Sequence, residues 1–248
     1  MKLLRVSYKG KAFFGRLDGD HVITLSEDYE ESNESARIFL GDTKILAPVA
    51  PSKIMAVGLN YLDHIREMGH DKPSSPVIFN KFPQCIAGPE EDILIPDGTD
   101  CVDYEAELAV VIARYCYKVS KEEAKDYILG ATCLNDVTYR KIQKSDGQWT
   151  RAKNYPSFCP IGPVIETDLD YNNADIELLL NGEVKQKSNT RNFLWNVEEL
   201  IEFISEFTVL YPGDVVTTGT TSGVGPMYSG DKVEIIIKGI GRLVNHVV

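Results

Sequence analysis

Apolar and polar positions divide this chain into many short strands and few helices. Ala12-Phe-Phe-Gly-Arg-Leu17 and His21-Val-Ile-Thr-Leu25 flank Asp18-Gly-Asp20 and predict a hairpin with an Asp-Gly turn. Lys53 to Tyr61 reads as an apolar strand ending at a polar turn. From Asp103 to Ile112, Tyr104, Ala106, Leu108 and Val110 alternate with Asp103, Glu105, Glu107 and Ala109, the period of a half-buried strand. Asp175 to Gln186 predicts two strands about Asn181-Gly182, with further strands at 214–218, 232–238 and 242–248. Capping boxes mark two helices: Ser120-Lys-Glu-Glu123, opening one that ends near Gly130, and Asn196-Val-Glu-Glu199, opening an amphipathic one with Leu200, Ile201 and Ile204 inward. The pattern predicts an α+β, β-rich protein. After the acidic stretch Glu27-Asp-Tyr-Glu-Glu-Ser32, Pro48 and Pro51 bracket a junction, so a small N-terminal β domain is expected at 1–48 and a larger domain at 49–248.

The Asp103–Ile112 strand carries the first candidate chemistry. Glu105 and Glu107, two apart, point to one face and run toward an apolar segment, where paired like charges are costly unless a cation lies between them. A third acid, Asp136, is expected to follow the Ser120 helix, and three oxygen donors on rigid elements suit Mg²⁺ or Mn²⁺. Taken alone, Glu-x-Glu more often describes a solvated strand face. If Asp63 caps a helical turn, His64 and Glu67 stand at i and i+3, where a carboxylate orients an imidazole as a general base. A surface His beside a Glu has the same spacing. The Gly69 to Pro76 loop that follows is a candidate lid, with His70 expected exposed. Arg140 and Gln143 lie four and seven residues beyond Asp136 and share a helix face, either toward a ligand or in an ordinary surface salt bridge. His21 and His246 read as strand residues.

Composition narrows the partners. The 248 residues are 43% hydrophobic and 25% charged, ordinary for a globular protein with a large core. The net charge of −11 opposes binding to nucleic acid and to anionic membrane surfaces. Five cysteines, without a C-x-x-C pair, point to reduced thiols and a reducing compartment. With no leader-like start and no bilayer-length apolar run, a cytoplasmic location is expected.

Seven segments occur in one family's order: Gly58-Leu-Asn-Tyr-Leu-Asp-His64-Ile-Arg-Glu67-Met, Pro76-Val-Ile-Phe-Asn-Lys81, Asp103-Tyr-Glu105-Ala-Glu107-Leu-Ala-Val-Val, Asn135-Asp136-Val-Thr-Tyr-Arg140, Pro160-Ile-Gly-Pro163, Asn181-Gly-Glu and Pro212-Gly-Asp-Val-Val-Thr-Thr-Gly-Thr220. From about residue 50 onward the chain resembles the fumarylacetoacetate hydrolase family, in its acylpyruvase, oxaloacetate decarboxylase and hydroxymuconate isomerase branch. The resemblance implies a mixed β-sandwich roll behind the small N-terminal domain, and a homodimer. It implies Glu105, Glu107 and Asp136 as ligands to Mg or Mn, and His64 with Glu67 as a catalytic dyad on a lid. Lys153 is implied as the cation at a developing enolate, and Arg140, Gln143, Lys81, Gln186 and Thr220 as substrate contacts. Two departures stand out. Asn154-Tyr-Pro156-Ser-Phe158 replaces the usual Ser-x-Asp-x-Phe, and Gly219-Thr220-Thr221-Ser-Gly223 replaces the usual Gly-Thr-Pro.

The function so implied is metal-dependent cleavage of a C–C bond in a small anionic 2-oxo or 1,3-dicarbonyl acid, as in an acylpyruvate hydrolase or oxaloacetate decarboxylase, through an enolate. The alternative within the family is an isomerase or decarboxylase of hydroxymuconate-like or 2-hydroxyhepta-2,4-diene-1,7-dioate-like acids. Outside catalysis, a metal-stabilised binding protein with damaged catalytic positions is the competing class. Here every such position is present.

Overall fold

A computed structural model describes residues 1–26, 35–67, 69 and 71–248. The acidic stretch at 27–32 and His70 lie outside the described residues. Among those described, the largest sheet runs, strand by strand, Arg37–Phe39, His21–Leu25, Lys11–Asp18, Lys2–Tyr8, Cys159–Glu166, Ile128–Asn135, Ala106–Ile112, Val215–Thr217, Ile54–Gly58 and Val77–Lys81. A second sheet, ordered Glu183–Asn189, Asp175–Leu180, Lys232–Ile237 and Gly241–His246, packs across the middle of the first. The protein is therefore β-rich with several sheets, as its pattern predicts. Both predicted hairpins form. Asp18 pairs with His21 across Gly19-Asp20, and Asn181 (φ 53°) and Gly182 (φ 82°) supply the two left-handed residues of a tight turn between Leu180 and Glu183.

Three local expectations are corrected. The strand expected from Asp103 to Ile112 is two strands, Cys101–Tyr104 and Ala106–Ile112, which meet at Glu105. Cys101–Tyr104 pairs with Gly225–Tyr228, whereas Ala106–Ile112 lies inside the large sheet and is buried on both faces. Alternation in sequence therefore understates its burial. The helix after Ser120 is one turn, Lys121–Ala124, followed by a 3₁₀ turn, and Gly130 belongs to the next strand. A Cβ at Gly130 would meet the Glu166 carbonyl oxygen at 2.5 Å, so this glycine permits close strand pairing rather than ending a helix. Consequently Asp136 is delivered by the strand Ile128–Asn135. Finally, Asp63 lies within the first turn of the helix Leu62–Glu67 rather than before it.

The second capping box forms in full. The Asn196 side chain accepts from the Glu199 N–H at 2.9 Å, and the Glu199 carboxylate accepts from the Asn196 N–H at 3.0 Å. The helix Val197–Phe207 buries Val197, Leu200, Ile201 and Ile204. Replacing Asn196 by Ala is expected to cost about 1 kcal/mol, because the Glu199 N–H at the helix start loses its side-chain acceptor. Thermal melting should show a fall in Tm of roughly 2–4 °C for a chain of this size.

Candidate active site

The bend at Glu105 and the end of the strand Ile128–Asn135 bring three buried carboxylates together. Oxygens of Glu105, Glu107 and Asp136 all lie within 4.8 Å of one another. Backbone bonds set this arrangement: the Asp136 N–H donates to the Glu105 carbonyl at 2.9 Å, and the Glu105 N–H donates to the Asn135 side chain at 2.9 Å. Lys153 Nζ donates to Glu105 Oε2 at 2.7 Å and to Asp136 Oδ2 at 2.6 Å. Behind them Lys81 Nζ sits 2.7 Å from Asp136 Oδ1 and donates to the Lys153 carbonyl. Arg140 donates through Nε to Asp103 at 2.8 Å, and through its terminal nitrogens to Glu105 and Gln143.

Burial and neighbouring charge divide the acids. Burial would raise the Glu105 pKa, but Lys153 and Arg140 overcome it and draw it down to about 2. For Glu107 the pull of Lys153 is the weakest of the influences and does not overcome burial. Burial first, then Asp136 and Glu105, push its pKa well above the usual carboxylate range, although Oε2 accepts from the Gly219 N–H at 2.9 Å. Burial opposes the charges of Lys81 and Arg140, yet Asp136 for the first and Glu105 with Asp103 for the second raise both above their usual values. With Glu107 protonated, Asp103, Glu105 and Asp136 are balanced by Lys81, Lys153 and Arg140. Three hard oxygen donors, one of them disfavoured as an anion by burial and by its acidic neighbours, fit a divalent ion.

Above the carboxylates lies a cavity of about 340 Å³. Its polar floor is the acid triad with Lys153, and Phe79, Trp149 and Val57 form an apolar wall. Phe79 and Trp149 meet edge to face at 5.1 Å between centroids, and Lys153 Nζ lies 5.2 Å from the Phe79 ring centre. Gly58 is needed under this wall, because a Cβ there would lie 2.6 Å from the Trp149 ring. His64 opens onto the cavity, 6% exposed, with Nδ1 3.2 Å from Glu67 Oε2. When Nδ1–H donates to this carboxylate, the other ring nitrogen is left free to accept a proton.

Comparison with known proteins agrees with this geometry. Residues 53–248 match the family described as fumarylacetoacetate (FAA) hydrolase C-terminal, and residues 1–48 match one described as Rv2993c-like, N-terminal. The chain belongs to the fumarylacetoacetate hydrolase family. It is 40% identical over 220 residues to the mitochondrial oxaloacetate tautomerase FAHD2A of Bos taurus, covering 84% of this chain and 70% of that protein. The crystal structure of 5-carboxymethyl-2-hydroxymuconate delta-isomerase from Mycobacterium smegmatis matches with TM-score 0.91 and 40% identity, over 100% of this chain and 99% of that one. That of 2-hydroxyhepta-2,4-diene-1,7-dioate isomerase from Mycobacterium marinum gives TM-score 0.92 and 40% identity, over 100% and 98%. The isomerase branch named by the sequence motifs is thus present among its relatives, and the protein is an enzyme of this family. Among the described residues, no helix is long and apolar enough to cross a membrane.

The residues singled out in this fumarylacetoacetate hydrolase family member by sequence fall into three places. Glu105, Glu107, Asp136, Lys153, His64, Arg140, Gln143 and Thr220 all border the cavity. Glu67 stands behind His64. Lys81 and Gln186, expected as substrate contacts, lie behind the cavity wall: Lys81 is spent on Asp136 and Lys153, and Gln186 on the Ala106 N–H, the Thr220 hydroxyl and the Thr221 carbonyl. The Thr220 hydroxyl in turn donates to the Ala106 carbonyl at 2.9 Å, so it is held by the protein on both sides. Sequence reading missed Asp103, which shares the period of Glu105 and Glu107, and Lys144, one helical turn beyond Arg140 in Arg140–Asp146. It also missed Phe79 and Trp149, for which no local pattern gives a signal.

The raised pKa of Glu107 predicts that a divalent cation entering the triad competes with a proton there. Calorimetric titration of metal-free protein with Mg²⁺ or Mn²⁺ at pH 7, in buffers of different ionisation enthalpy, should show release of about one proton and affinity that climbs with pH. Binding without proton release would contradict the protonated state of Glu107.

Proposed function

We propose that this enzyme moves a proton on the enol or enolate of a small 2-oxo dicarboxylic acid, as a keto–enol tautomerase or double-bond isomerase, with Mg²⁺ or Mn²⁺ at Glu105, Glu107 and Asp136. The observation that carries the reading is the meeting in one cavity of a buried carboxylate triad, an ammonium bridging two of its members, and a carboxylate-backed imidazole. The activities named for the bovine, M. smegmatis and M. marinum relatives support proton transfer over other enolate chemistry.

A bound divalent ion supplies Lewis acidity, which lowers the free energy of negative charge on an oxygen of the bound acid. Lys153 adds a second positive charge beside that oxygen, in a site from which water is largely excluded. His64, oriented by Glu67, removes the proton and returns it at another atom. Phe79 and Trp149 offer a flat apolar wall to a planar conjugated chain. Charge balance names the substrate class further. Replacing the Glu107 proton by a dication leaves one excess positive charge, enough for one carboxylate. A second carboxylate needs another cation, and Lys144, exposed at the cavity edge, has no acidic partner among the described residues. Cleavage of a C–C bond, in an acylpyruvate or in oxaloacetate, is the second reading, because the free nitrogen of His64 serves equally to activate a water.

Two substitutions test this. Glu67→Ala should lower kcat by roughly a hundredfold, within the span of general acid–base contributions, while the metal still binds. Lys144→Met should raise KM for oxaloacetate by about tenfold and leave acetylpyruvate within a factor of two, since only the former carries a second carboxylate. Ultraviolet spectra of the enol, read beside a pyruvate-release assay with and without chelator, separate proton transfer from cleavage. Absence of both activities in metal-loaded protein would contradict the proposal.

A further inference from the structure

The helix that carries His64 and Glu67 has only six residues, Leu62–Glu67, too few to persist by its own hydrogen bonds. Its apolar anchorage is small: Ile65 is buried, whereas Leu62 is 42% exposed. What holds it is polar. At its start, Asp63 Oδ2 accepts from the Thr221 hydroxyl and from the Ser222 hydroxyl, each at 3.0 Å, while Oδ1 accepts from the His64 N–H at 2.9 Å. At its end, the Glu67 carboxylate accepts from the Gly223 N–H at 3.0 and 3.2 Å, and the same carboxylate meets His64. Three consecutive residues thus grip both ends of the helix. Their own position is fixed from below: Thr220 is bonded to Ala106 in the strand that carries Glu107, and the Thr221 carbonyl accepts from Gln186. A Cβ at Gly223 would lie 2.2 Å from the Lys185 carbonyl oxygen, so the loop lies flat against the neighbouring strand.

We infer that Thr221 and Ser222 are positioning residues for the dyad, acting as a hydroxyl clamp on Asp63 that holds His64 over the cavity and leaves Glu67 aligned by Gly223. The inference rests on the proposed role of His64 and Glu67 as the proton-transfer pair. Hydrogen bonds to a carboxylate are the stronger kind, and displacing a catalytic group by about 1 Å can lower a rate a hundredfold. Loss of the clamp therefore acts on kcat, with the metal site and the substrate-binding floor intact.

The test uses the full chain loaded with Mg²⁺, comparing wild type with Thr221→Val/Ser222→Ala, with Thr221→Ser as the conservative variant and with Asp63→Asn as a second disruption. Hydrogen exchange of the amides at 62–67, measured without substrate, should be accelerated at least tenfold in the double variant and in Asp63→Asn, and stay near wild type in Thr221→Ser. With oxaloacetate, kcat should fall about ten- to hundredfold in the double variant, with KM within about threefold and Mg²⁺ affinity unchanged, and Thr221→Ser should recover it. Unchanged exchange at 62–67 in both disrupted proteins would overturn the clamp. Accelerated exchange with kcat unchanged would overturn its positioning role. Should wild type turn over no 2-oxo acid, the functional reading fails, while the exchange measurement still decides whether the clamp exists.

Discussion

Everything at the centre of this protein follows from placing three carboxylates out of water. Isolated buried carboxylates are expensive, so the fold surrounds Glu105 and Asp136 with Lys81, Lys153 and Arg140, while burial and its acidic neighbours favour the neutral form of Glu107. Each cation has a second task. Lys81 ties the Lys153 backbone to Asp136, Lys153 reaches into the cavity, and Arg140 joins Glu105 to Asp103 and Gln143.

The same strands that carry the acids also carry the reference frame for the base. From Ala106 the connection runs through Thr220 to residues 221–223, and from there to Asp63, Glu67 and His64. The strand that carries Glu107 is thus linked through hydrogen bonds to the helix that carries His64, although the two are distant in sequence. His64 sits on an element with little apolar burial, in which Ile65 is buried and Leu62 exposed. A site that admits substrate over His64 needs such an element, because a helix held by exposed polar bonds opens far more readily than one packed into the core.

Much of this was legible in the sequence, and the failures have physical causes. The grouping of Glu105 with Glu107 and of His64 with Glu67 was readable because their local spacings are short. The Asn196 capping box and the two tight turns were readable because they are local hydrogen-bond motifs. The Ser120 helix was overextended since nothing local reveals that Gly130 faces the Glu166 backbone across a sheet. Lys81 and Gln186 were given to substrate, whereas tertiary packing commits them to Asp136 and to Thr220. The departure at Thr221-Ser222 supplies the two hydroxyls that hold Asp63. Contacts between residues far apart in sequence leave no periodicity to read.

The most direct measurement is an anomalous-difference map from crystals soaked in Mn²⁺ with oxalate, a flat 2-oxo acid mimic. A single manganese peak is expected, bounded by carboxylate oxygens of Glu105, Glu107 and Asp136, with the oxalate in the cavity under His64. No peak among these three carboxylates, in crystals where manganese binds elsewhere, would contradict it.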